Sequence, residues 1–352
     1  MKKIKVAVSG INAVDNPGPG TGIMRSLKES DLNVRTIGLA YDNLEPGIYL
    51  NEWTDKSYIL PYPSGERDSF LRRLEYIHSQ ENLDVIISAL DAELPMYMNI
   101  QKDLEAMGIK MMIPTKEMFN LRNKTSLNIL AEKVGVKIPA YNVCTSYADL
   151  IAAVNTIGFP CMIKGPFYEA FKANNLTEAE EHFNKIAKKW GYPIIVQSFI
   201  VGEEFDVIAF GDGLGDDLGV FSIRKMTTTA LGKVWNAISI HNPKLIDVTK
   251  RIIRYLKWQG GMEFEAMLES KTGDIYLLEI NPRFPAWVYF ASACGINLPE
   301  RMVKLLLGMD YDKHSDYKSG KLMIRYTAEI IKDIKEFEKI TTYGELENNK
   351  GE

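Results

Sequence analysis

The sequence of 352 residues is poor in cysteine and histidine. Its three cysteines, Cys144, Cys161 and Cys294, form neither a CxxC pair nor an even framework. Isolated cysteines favour a reducing compartment and a role as small buried residues, so we expect a cytoplasmic protein. The four histidines do not stand beside a Ser or Cys nucleophile in a recognisable motif. Neither a disulfide scaffold nor a catalytic triad is therefore expected.

Long apolar runs and blocks of one charge are also missing. No apolar stretch approaches the roughly 18 residues that a membrane span requires, so we predict no membrane partner. The 42 Lys and Arg residues stand against 46 Asp and Glu residues, which gives a net charge of −4 without a basic block. This balance argues against nucleic-acid binding. The length allows two to three domains, and the chemistry is expected to concern small molecules.

Short apolar runs alternate with amphipathic stretches in the first third of the chain. Strands are predicted at Lys5–Ser9, Asn33–Leu39 and Asp84–Leu90, with a helix at Met96–Met107 and a further strand at Lys110–Ile113. Strands that alternate with helices indicate a parallel sheet covered on both faces. Residues 1–113 are therefore predicted to form a parallel α/β domain.

The remaining sequence has a different pattern. One long helix is predicted at Lys116–Val134, and strand-like stretches with Gly-rich turns between Glu204 and Ser239 indicate antiparallel hairpins. A last strand is predicted at Met323–Ala328, and the tail 341–352 is expected to be frayed. This part therefore has a mixed α+β pattern.

The motif NPGPGTG, Asn16–Gly22, follows the first strand and precedes a helix predicted at Gly22–Glu29. Its glycines are spaced two and two, whereas the dinucleotide fingerprint requires G-x-G-x-x-G. The hypothesis of a nicotinamide-dependent oxidoreductase rests on this motif alone. A tight turn and a loop that faces the substrate remain the two alternatives.

The most informative segment is an acidic hairpin, GGMEFEAMLESKTGDIYLLEINPRF. Its period of two places Glu263, Glu265 and Glu269 on one face of the first strand, and Glu279 and Asn281 on one face of the second. Carboxylate and amide oxygens are hard ligands that suit Mg²⁺ (or Mn²⁺), and an adjacent Arg283 can stabilise a transferring phosphoryl group. The hairpin therefore predicts a metal–phosphate site.

The run E-I-N-P-R, with a glutamate fourteen residues before its own, resembles the ATP-grasp superfamily. That superfamily includes biotin carboxylase, the carbamoyl-phosphate synthetase large subunit and amino-acid ligases. The resemblance implies a pre-ATP-grasp α/β domain at 1–113, a helical linker and lid subdomain at 114–200, and an antiparallel-sheet catalytic subdomain at 201–340. It also implies that Glu265, Glu279 and Asn281 bind the metal and that Arg283 contacts the phosphate or acyl phosphate.

Other segments resemble the family's nucleotide-binding motifs. Lys124 and Lys164, the latter in GFPCMIK, match two phosphate-contacting lysines, and IIVQSFIVGEEFDV resembles the family's hinge strand. The resemblance implies that ATP is held at the hinge by Gln197, Ser198, Phe199 and Ile200. Glu204 would hold the ribose, and its neighbour Glu203 should point away. Arg224, followed by Lys225, stands where the family often has a phosphate-contacting cation.

The loop after Lys164 departs from the family pattern, because it has one glycine where many members have a Gly-rich run. Lys172 is a candidate to replace the phosphate contacts of that run. The departure motivates an alternative from another class, a catalytically silent module that binds ATP or ADP.

Substrate contacts are predicted on both sides of the site. Asp91 and Glu93 follow a buried strand and could hold an amine, although a helix-capping acid is an equal alternative. Trp287 belongs to an apolar wall after Arg283 that could contact an extended substrate or belong to the core. The resemblance implies an ATP- and Mg²⁺-dependent ligase for small-molecule carboxylate and amine substrates. Activation of bicarbonate in the manner of carbamoyl-phosphate synthetase is an alternative, and a homodimer is one predicted assembly.

Overall fold

The computed structural model describes residues 3–121, 123–165 and 169–348, without the side chains of Lys124 and Thr125. In this part of the chain the strands form a five-stranded, a four-stranded and a six-stranded sheet, beside a two-stranded ribbon. One buried apolar cluster packs against each larger sheet, and a further one, the main apolar cluster, contains residues of both the five-stranded and the six-stranded sheet, such as Val6 and Phe221.

The N-terminal unit is a parallel α/β layer. Its strands are β1 (Ile4–Val8), β2 (Ala13–Val14), β3 (Asn16–Pro17), β4 (Val34–Ala40), β5 (Lys56–Ile59) and β6 (Val85–Ile87), and its helices are α1 (Pro19–Lys28), α2 (Arg67–Glu81) and α3 (Leu94–Ala106). Strand β1 is parallel to β4 and to β6, and β4 is parallel to β5, as predicted. The strand predicted at Lys110–Ile113 is wrong, because Lys110 makes only an isolated bridge to Val85.

The glycine motif brings a helix against a strand end. Helix α1 begins at Pro19, three residues earlier than predicted, because Gly18 and Gly20 allow its first turn to touch the end of β1. A Cβ atom on Gly20 would lie 2.0 Å from the carbonyl oxygen of Ser9, and one on Gly18 would lie 2.2 Å from that of Gly10. The motif is therefore a tight strand-to-helix turn.

A helical linker and the lid follow. The predicted long helix is two helices, because the chain turns where the Leu121 N–H donates to the Met118 carbonyl in a tighter turn. The elements are α4 (Lys116–Asn120), α5 (Lys124–Val134), β7 (Tyr141–Cys144), α6 (Tyr147–Ile157), β8 (Cys161–Lys164), β9 (Ala170–Ala173), α7 (Leu176–Trp190) and β10 (Ile194–Ser198). The four strands form an antiparallel sheet in the order β7-β10-β8-β9.

The largest sheet is antiparallel, in the order β15-β14-β11-β12-β13-β16. Its elements are β11 (Gly202–Asp212), β12 (Asp217–Thr228), β13 (Val234–Ile240), α8 (Pro243–Leu256), β14 (Gln259–Glu269), β15 (Ile275–Asn281), α9 (Val288–Ala293), α10 (Leu298–Leu306) and β16 (Leu322–Met323). The strand predicted at Met323–Ala328 covers only Leu322–Met323, since no further residue pairs with β13.

The C-terminal segment returns to the N-terminal sheet. After α11 (Ile334–Tyr343), strand β17 (Glu345–Glu347) pairs antiparallel with β5 and forms the sheet edge. Leu346 is buried, and the guanidinium of Arg35 donates to both carboxylate oxygens of Glu347, at 2.9 and 2.8 Å. The prediction of a frayed tail is therefore wrong for residues 341–348.

None of the helices within the described ranges has both the length and the apolar character that crossing a bilayer requires.

Candidate functional site

The acidic hairpin forms as its alternation predicts. Strands β14 and β15 pair with Glu263 opposite Asn281 and Glu265 opposite Glu279. Because side chains on paired strands share a face when they stand opposite each other, all four project to one side of the sheet. On the other side of β14, strand β11 places Asp206 opposite Glu265. The structure therefore gathers the hairpin acids and Asp206 at one place.

A lysine lies at the centre of these acids. Lys225 Nζ, on β12, lies 2.7 Å from Glu204 Oε1, 2.9 Å from Glu265 Oε2 and 3.2 Å from Asp206 Oδ1. Its side chain is only 4% exposed. Burial opposes the charge of Lys225, but the attraction of the three carboxylates outweighs it and raises the pKa of the lysine. We call Glu204, Asp206 and Glu265 the carboxylate cage.

The same interactions act on the acids of the cage. Burial raises the pKa of Asp206, and the Lys225 ammonium opposes that rise. For Glu265, burial is outweighed by the ammonium, so the pKa of its carboxyl lies below the ordinary value. Lys225 therefore holds Glu265 as a carboxylate.

Arg224 lies on the other face of β12. Its Nη1 donates to Glu203 Oε1 at 2.8 Å, and both side chains reach solvent. The expectation that Arg224 contacts phosphate is corrected, because the pleat that aims Lys225 at the acids turns Arg224 away from them. The same alternation turns Glu203 away from Glu204, as the sequence predicts.

Glu263 holds the residues that follow β15. Its Oε2 accepts from Asn281 Nδ2 at 3.1 Å and from Arg283 Nη1 at 2.9 Å, while its Oε1 accepts from Trp287 Nε1 at 2.8 Å. Asn281 Nδ2 also donates to Glu265 Oε1 at 3.2 Å. Asn281 can ligate a cation only through its carbonyl oxygen, because its amide nitrogen is a donor, and here that nitrogen points to the acids.

Trp287 is held in the core by this contact. It is 3% exposed and packs near Phe221 in the main apolar cluster. The prediction that Trp287 contacts the substrate is therefore corrected, because its buried indole donates a hydrogen bond to Glu263. Core packing was the alternative that the sequence left open.

Arg283 connects the hairpin to the N-terminal sheet. Its Nε lies 3.7 Å from Asp91 Oδ2, and Asp91 lies in the turn after β6, at the carboxyl edge of the parallel sheet. Burial opposes the charge of Arg283, but Asp91 and Glu263 outweigh it and raise the pKa of the guanidinium. Ligands of open α/β sheets bind at this edge, so Asp91 is placed where a substrate group could reach it.

Glu93 lies deeper than predicted. It is fully buried and accepts hydrogen bonds from Ser9 Oγ at 2.5 Å and from Ser88 Oγ at 2.7 Å. It stands at the N-cap of α3 without a side-chain capping bond. Burial raises the pKa of Glu93 although both serines oppose the rise. The prediction that Glu93 holds a substrate amine is corrected, because its carboxylate joins two strand ends inside the domain.

Lys164 ends β8 in the lid, and the charges of the acids act on its ammonium. Burial lowers the pKa of Lys164, whereas Glu279, Glu265 and Glu204 attract its charge and oppose the fall. The ammonium therefore lies within electrostatic reach of the hairpin. Lys124 begins α5, and its side chain lies outside the described part of the chain.

The hinge segment is continuous with the lid. Strand β10 ends at Ser198, whose N–H donates to the Ala140 carbonyl at 2.8 Å, and Gln197 is buried. Phe199 and Ile200 are half-buried and connect β10 to β11. Lys172 Nζ lies 4.4 Å from the centre of the Phe199 ring, so Lys172 reaches the hinge from the lid.

Sequence reasoning missed two features of this site. Asp206 was not considered, although Glu204 and Asp206 share a strand face with a period of two. Glu263 was placed on the correct face, but its support of Asn281, Arg283 and Trp287 depends on the fold of the following turn. The donor set fits a hard divalent cation, since Glu265, Glu279 and Asn281 offer oxygen ligands from paired strands.

The chain is similar to known proteins both in sequence and in structure. A family model described as ATP-grasp in the biosynthetic pathway with Ter operon matches residues 193–329. The carbamoyl phosphate synthase large chain of Gemmatimonas aurantiaca is 24% identical over 250 residues, which are 67% of this chain and 22% of that protein. The chain thus spans about a fifth of the length of this curated relative.

Solved structures show the same fold over most of the chain. Biotin carboxylase from Campylobacter jejuni, solved as a beta-gamma-ATP complex, superposes with a TM-score of 0.68 and 17% identity over 91% of this chain and 74% of that one. The L-amino acid ligase of Bacillus licheniformis gives 0.64 and 17% over 87% and 75%. At these identities the likeness establishes the fold.

Proposed function

We propose that this chain, whose fold is that of the ATP-grasp enzymes, is an ATP- and Mg²⁺-dependent ligase that joins a carboxylate to an amine through an acyl phosphate. One observation carries the proposal. The hairpin presents Glu265, Glu279 and Asn281 on one face of two paired strands, while Lys225 lies 2.9 Å from Glu265 and Arg283 lies 2.9 Å from Glu263 on the same strand. This arrangement suits a charged phosphoryl group.

The nucleotide would lie between the lid and the large sheet. Lys164 and Lys225 offer ammonium groups to phosphate oxygens, with Lys124 as a further proposed contact. Glu204 offers two acceptors to the ribose hydroxyls, and the hinge at Gln197, Ser198, Phe199 and Ile200 borders the adenine. Glu265, Glu279 and Asn281 would hold Mg²⁺, which when bound neutralises charge on the transferring phosphoryl group.

The residues of the site would then position the reaction. An oxygen of the substrate carboxylate would attack the γ-phosphorus, the bond between that phosphorus and the bridging oxygen of ADP would break, and Arg283 would contact the acyl phosphate that forms. The amine, for which Asp91 is the proposed contact, attacks the acyl carbon. Phosphate leaves with the electron pair of the C–O bond, and the amine loses one proton as the amide forms. Catalysis here is positioning and charge stabilisation.

A turnover screen tests the proposal. Purified protein with Mg²⁺ and ATP is offered pairs of carboxylates and amines, including amino acids, dipeptides and bicarbonate with ammonia, and ADP, AMP and the product mass are measured. We expect ADP and an amide in equal amounts with one class of pair. ATP binding without turnover for any pair would support the silent nucleotide-binding module instead. Turnover with bicarbonate and ammonia alone would favour the carbamoyl-phosphate chemistry.

A further inference from the structure

Asp206, one of the three acids of the carboxylate cage, is buried without a hydrogen-bond partner among the described residues. Asp206 has no solvent exposure, and neither of its carboxylate oxygens has a hydrogen-bond partner among the described residues. The ammonium of Lys225, 3.2 Å away, is the cation beside it. A buried carboxylate without hydrogen bonds is costly, so Asp206 depends on a cation inside the cage.

The size of the cage fits a divalent ion. One oxygen from each of Glu204, Asp206 and Glu265 lies within 4.8 Å of the other two. Oxygens on opposite sides of a bound Mg²⁺ or Mn²⁺ are about 4 Å apart, because each lies about 2.1 Å from the ion. The Lys225 ammonium contacts all three carboxylates. It therefore occupies the position that a divalent ion would take.

We propose that Lys225 is a tethered cation that excludes divalent metal from the carboxylate cage until a nucleotide binds. Nucleotide phosphates offer the ammonium another anion, and Lys225 then turns from Glu265 toward them. Glu265 thereby becomes available for a metal ion that arrives with the nucleotide. Asp206 acts as a positioning residue, because its carboxylate, 3.2 Å from the Lys225 ammonium, helps to hold that ammonium beside Glu265 while no nucleotide is bound.

This inference goes beyond the proposed function, since it concerns the order of binding and requires no turnover. An ammonium and a divalent cation cannot share the cage, because two positive charges a few ångströms apart in a buried site repel each other strongly. Removal of the ammonium leaves three carboxylates at a spacing that suits a metal. The prediction is therefore a gain of metal binding when a cation is deleted.

Mn²⁺ binding to the nucleotide-free protein tests this directly. Free Mn²⁺ is measured by electron paramagnetic resonance at pH 8 for the wild type, for Lys225→Met and for the matched control Arg224→Met, which removes the neighbouring cation from the opposite face. We expect Lys225→Met to bind one Mn²⁺ at least about tenfold more tightly than the wild type, and Arg224→Met to match the wild type. Equal Mn²⁺ affinity for Lys225→Met and the wild type would overturn the proposal.

Two further variants keep the test decisive. Lys225→Met with Glu204→Gln restores the net charge of the cage in case the single variant does not fold, and it should still bind Mn²⁺ more tightly than the wild type. Lys225→Met with Asp206→Asn should lose most of the gain, and an unchanged gain would place the metal outside the cage and overturn the proposal. The Mn²⁺ experiment measures no turnover. A negative Mn²⁺ result would therefore leave the ligase proposal standing, and a negative turnover screen would leave the Mn²⁺ result valid.

Discussion

Glu263 Oε2 accepts a 2.9 Å hydrogen bond from Arg283 Nη1, and this contact fixes the guanidinium at the junction of the catalytic sheet and the N-terminal sheet. The same carboxylate holds the Asn281 amide and the Trp287 indole. One buried acid on β14 thus orients a proposed metal ligand, a proposed phosphate contact and a core aromatic. Catalysis that depends on the orientation of the reacting groups requires side chains that are held in place in this way.

Glu263→Gln should reduce turnover strongly while the fold persists. The amide keeps the shape of the side chain but leaves Arg283 with a weaker partner, so we expect kcat to fall by about ten- to a hundredfold and stability by about 1–3 kcal/mol. Steady-state kinetics and urea unfolding measure the two effects. Glu269→Gln is the matched control, because Glu269 lies on the same face of β14 and contacts Thr272 away from Arg283. Equal kinetics for both variants would contradict the role of Glu263.

Glu279→Gln should remove turnover with little loss of stability. Glu279 is solvent-exposed at the end of β15, so it contributes little to the core, whereas a neutral amide is a poorer ligand for Mg²⁺. We expect a fall in kcat of at least about a hundredfold and a melting temperature close to that of the wild type. If Glu279→Gln had the kcat of the wild type at the same Mg²⁺ concentration, the assignment of Glu279 as a metal ligand would be contradicted.

Stability should depend on pH through Glu45. Burial raises the pKa of Glu45 to about 7, although the N–H groups of Tyr41 and Asp42 oppose the rise. The folded protein then keeps a proton that the unfolded chain releases, so this residue's contribution to stability is lost as the pH rises from about 4.5 to about 7.

Glu45→Gln tests this dependence, because the amide stays neutral and can accept the same hydrogen bonds. Urea unfolding at pH 5 and pH 7.5 should show a fall in stability for the wild type that exceeds the fall for Glu45→Gln by on the order of 2 kcal/mol. The exposed Glu52→Gln variant serves as the control. Parallel pH profiles for the wild type and Glu45→Gln would refute the prediction.

Leu346→Ala should destabilise the N-terminal sheet. Leu346 is 4% exposed on β17, where the chain pairs with β5, so its truncation leaves a cavity at the sheet edge. We expect a loss of about 2–4 kcal/mol in the free energy of unfolding. Tyr343→Ala, at a site that is 70% exposed, should change stability by less than about 0.5 kcal/mol. A Leu346→Ala protein as stable as the wild type would show that the tail is not part of the sheet.

The sequence predicts the parts of this fold whose pattern is local. The alternation in GMEFEAMLE and IYLLEIN indicates both strands of the hairpin and the face that carries their acids, because a strand has a period of two. Strand β17 could not be predicted, since a sequence of three residues, ELE, is too short to establish a period of two, and it forms because β5 offers an edge. Strand β9, AFKA, also depends on a partner, here β8.

The residues of the candidate site also differ in how far a local sequence pattern predicts them. Glu265, Glu279 and Asn281 come from one hairpin, so their juxtaposition follows from a short sequence. The choice between Arg224 and Lys225 depends on the register of β12, which pairs Arg224 with Phe205 on β11 and shifts against β13 directly after Lys225. The burial of Glu93 depends on Ser9 and Ser88, which belong to two other strand ends. Contacts between segments that are distant in the sequence therefore could not be predicted from the sequence and are known only from the structure.

Transfer of oxygen from the carboxylate to phosphate tests the central claim most directly. A carboxylate that supports turnover is labelled with ¹⁸O in both oxygens, and the phosphate released in unlabelled water is analysed by mass spectrometry beside the nucleotide product. An acyl phosphate predicts one ¹⁸O atom in each phosphate, together with ADP, and no transfer by Glu279→Gln beyond its residual turnover. Unlabelled phosphate, or AMP with pyrophosphate, would contradict the proposed mechanism.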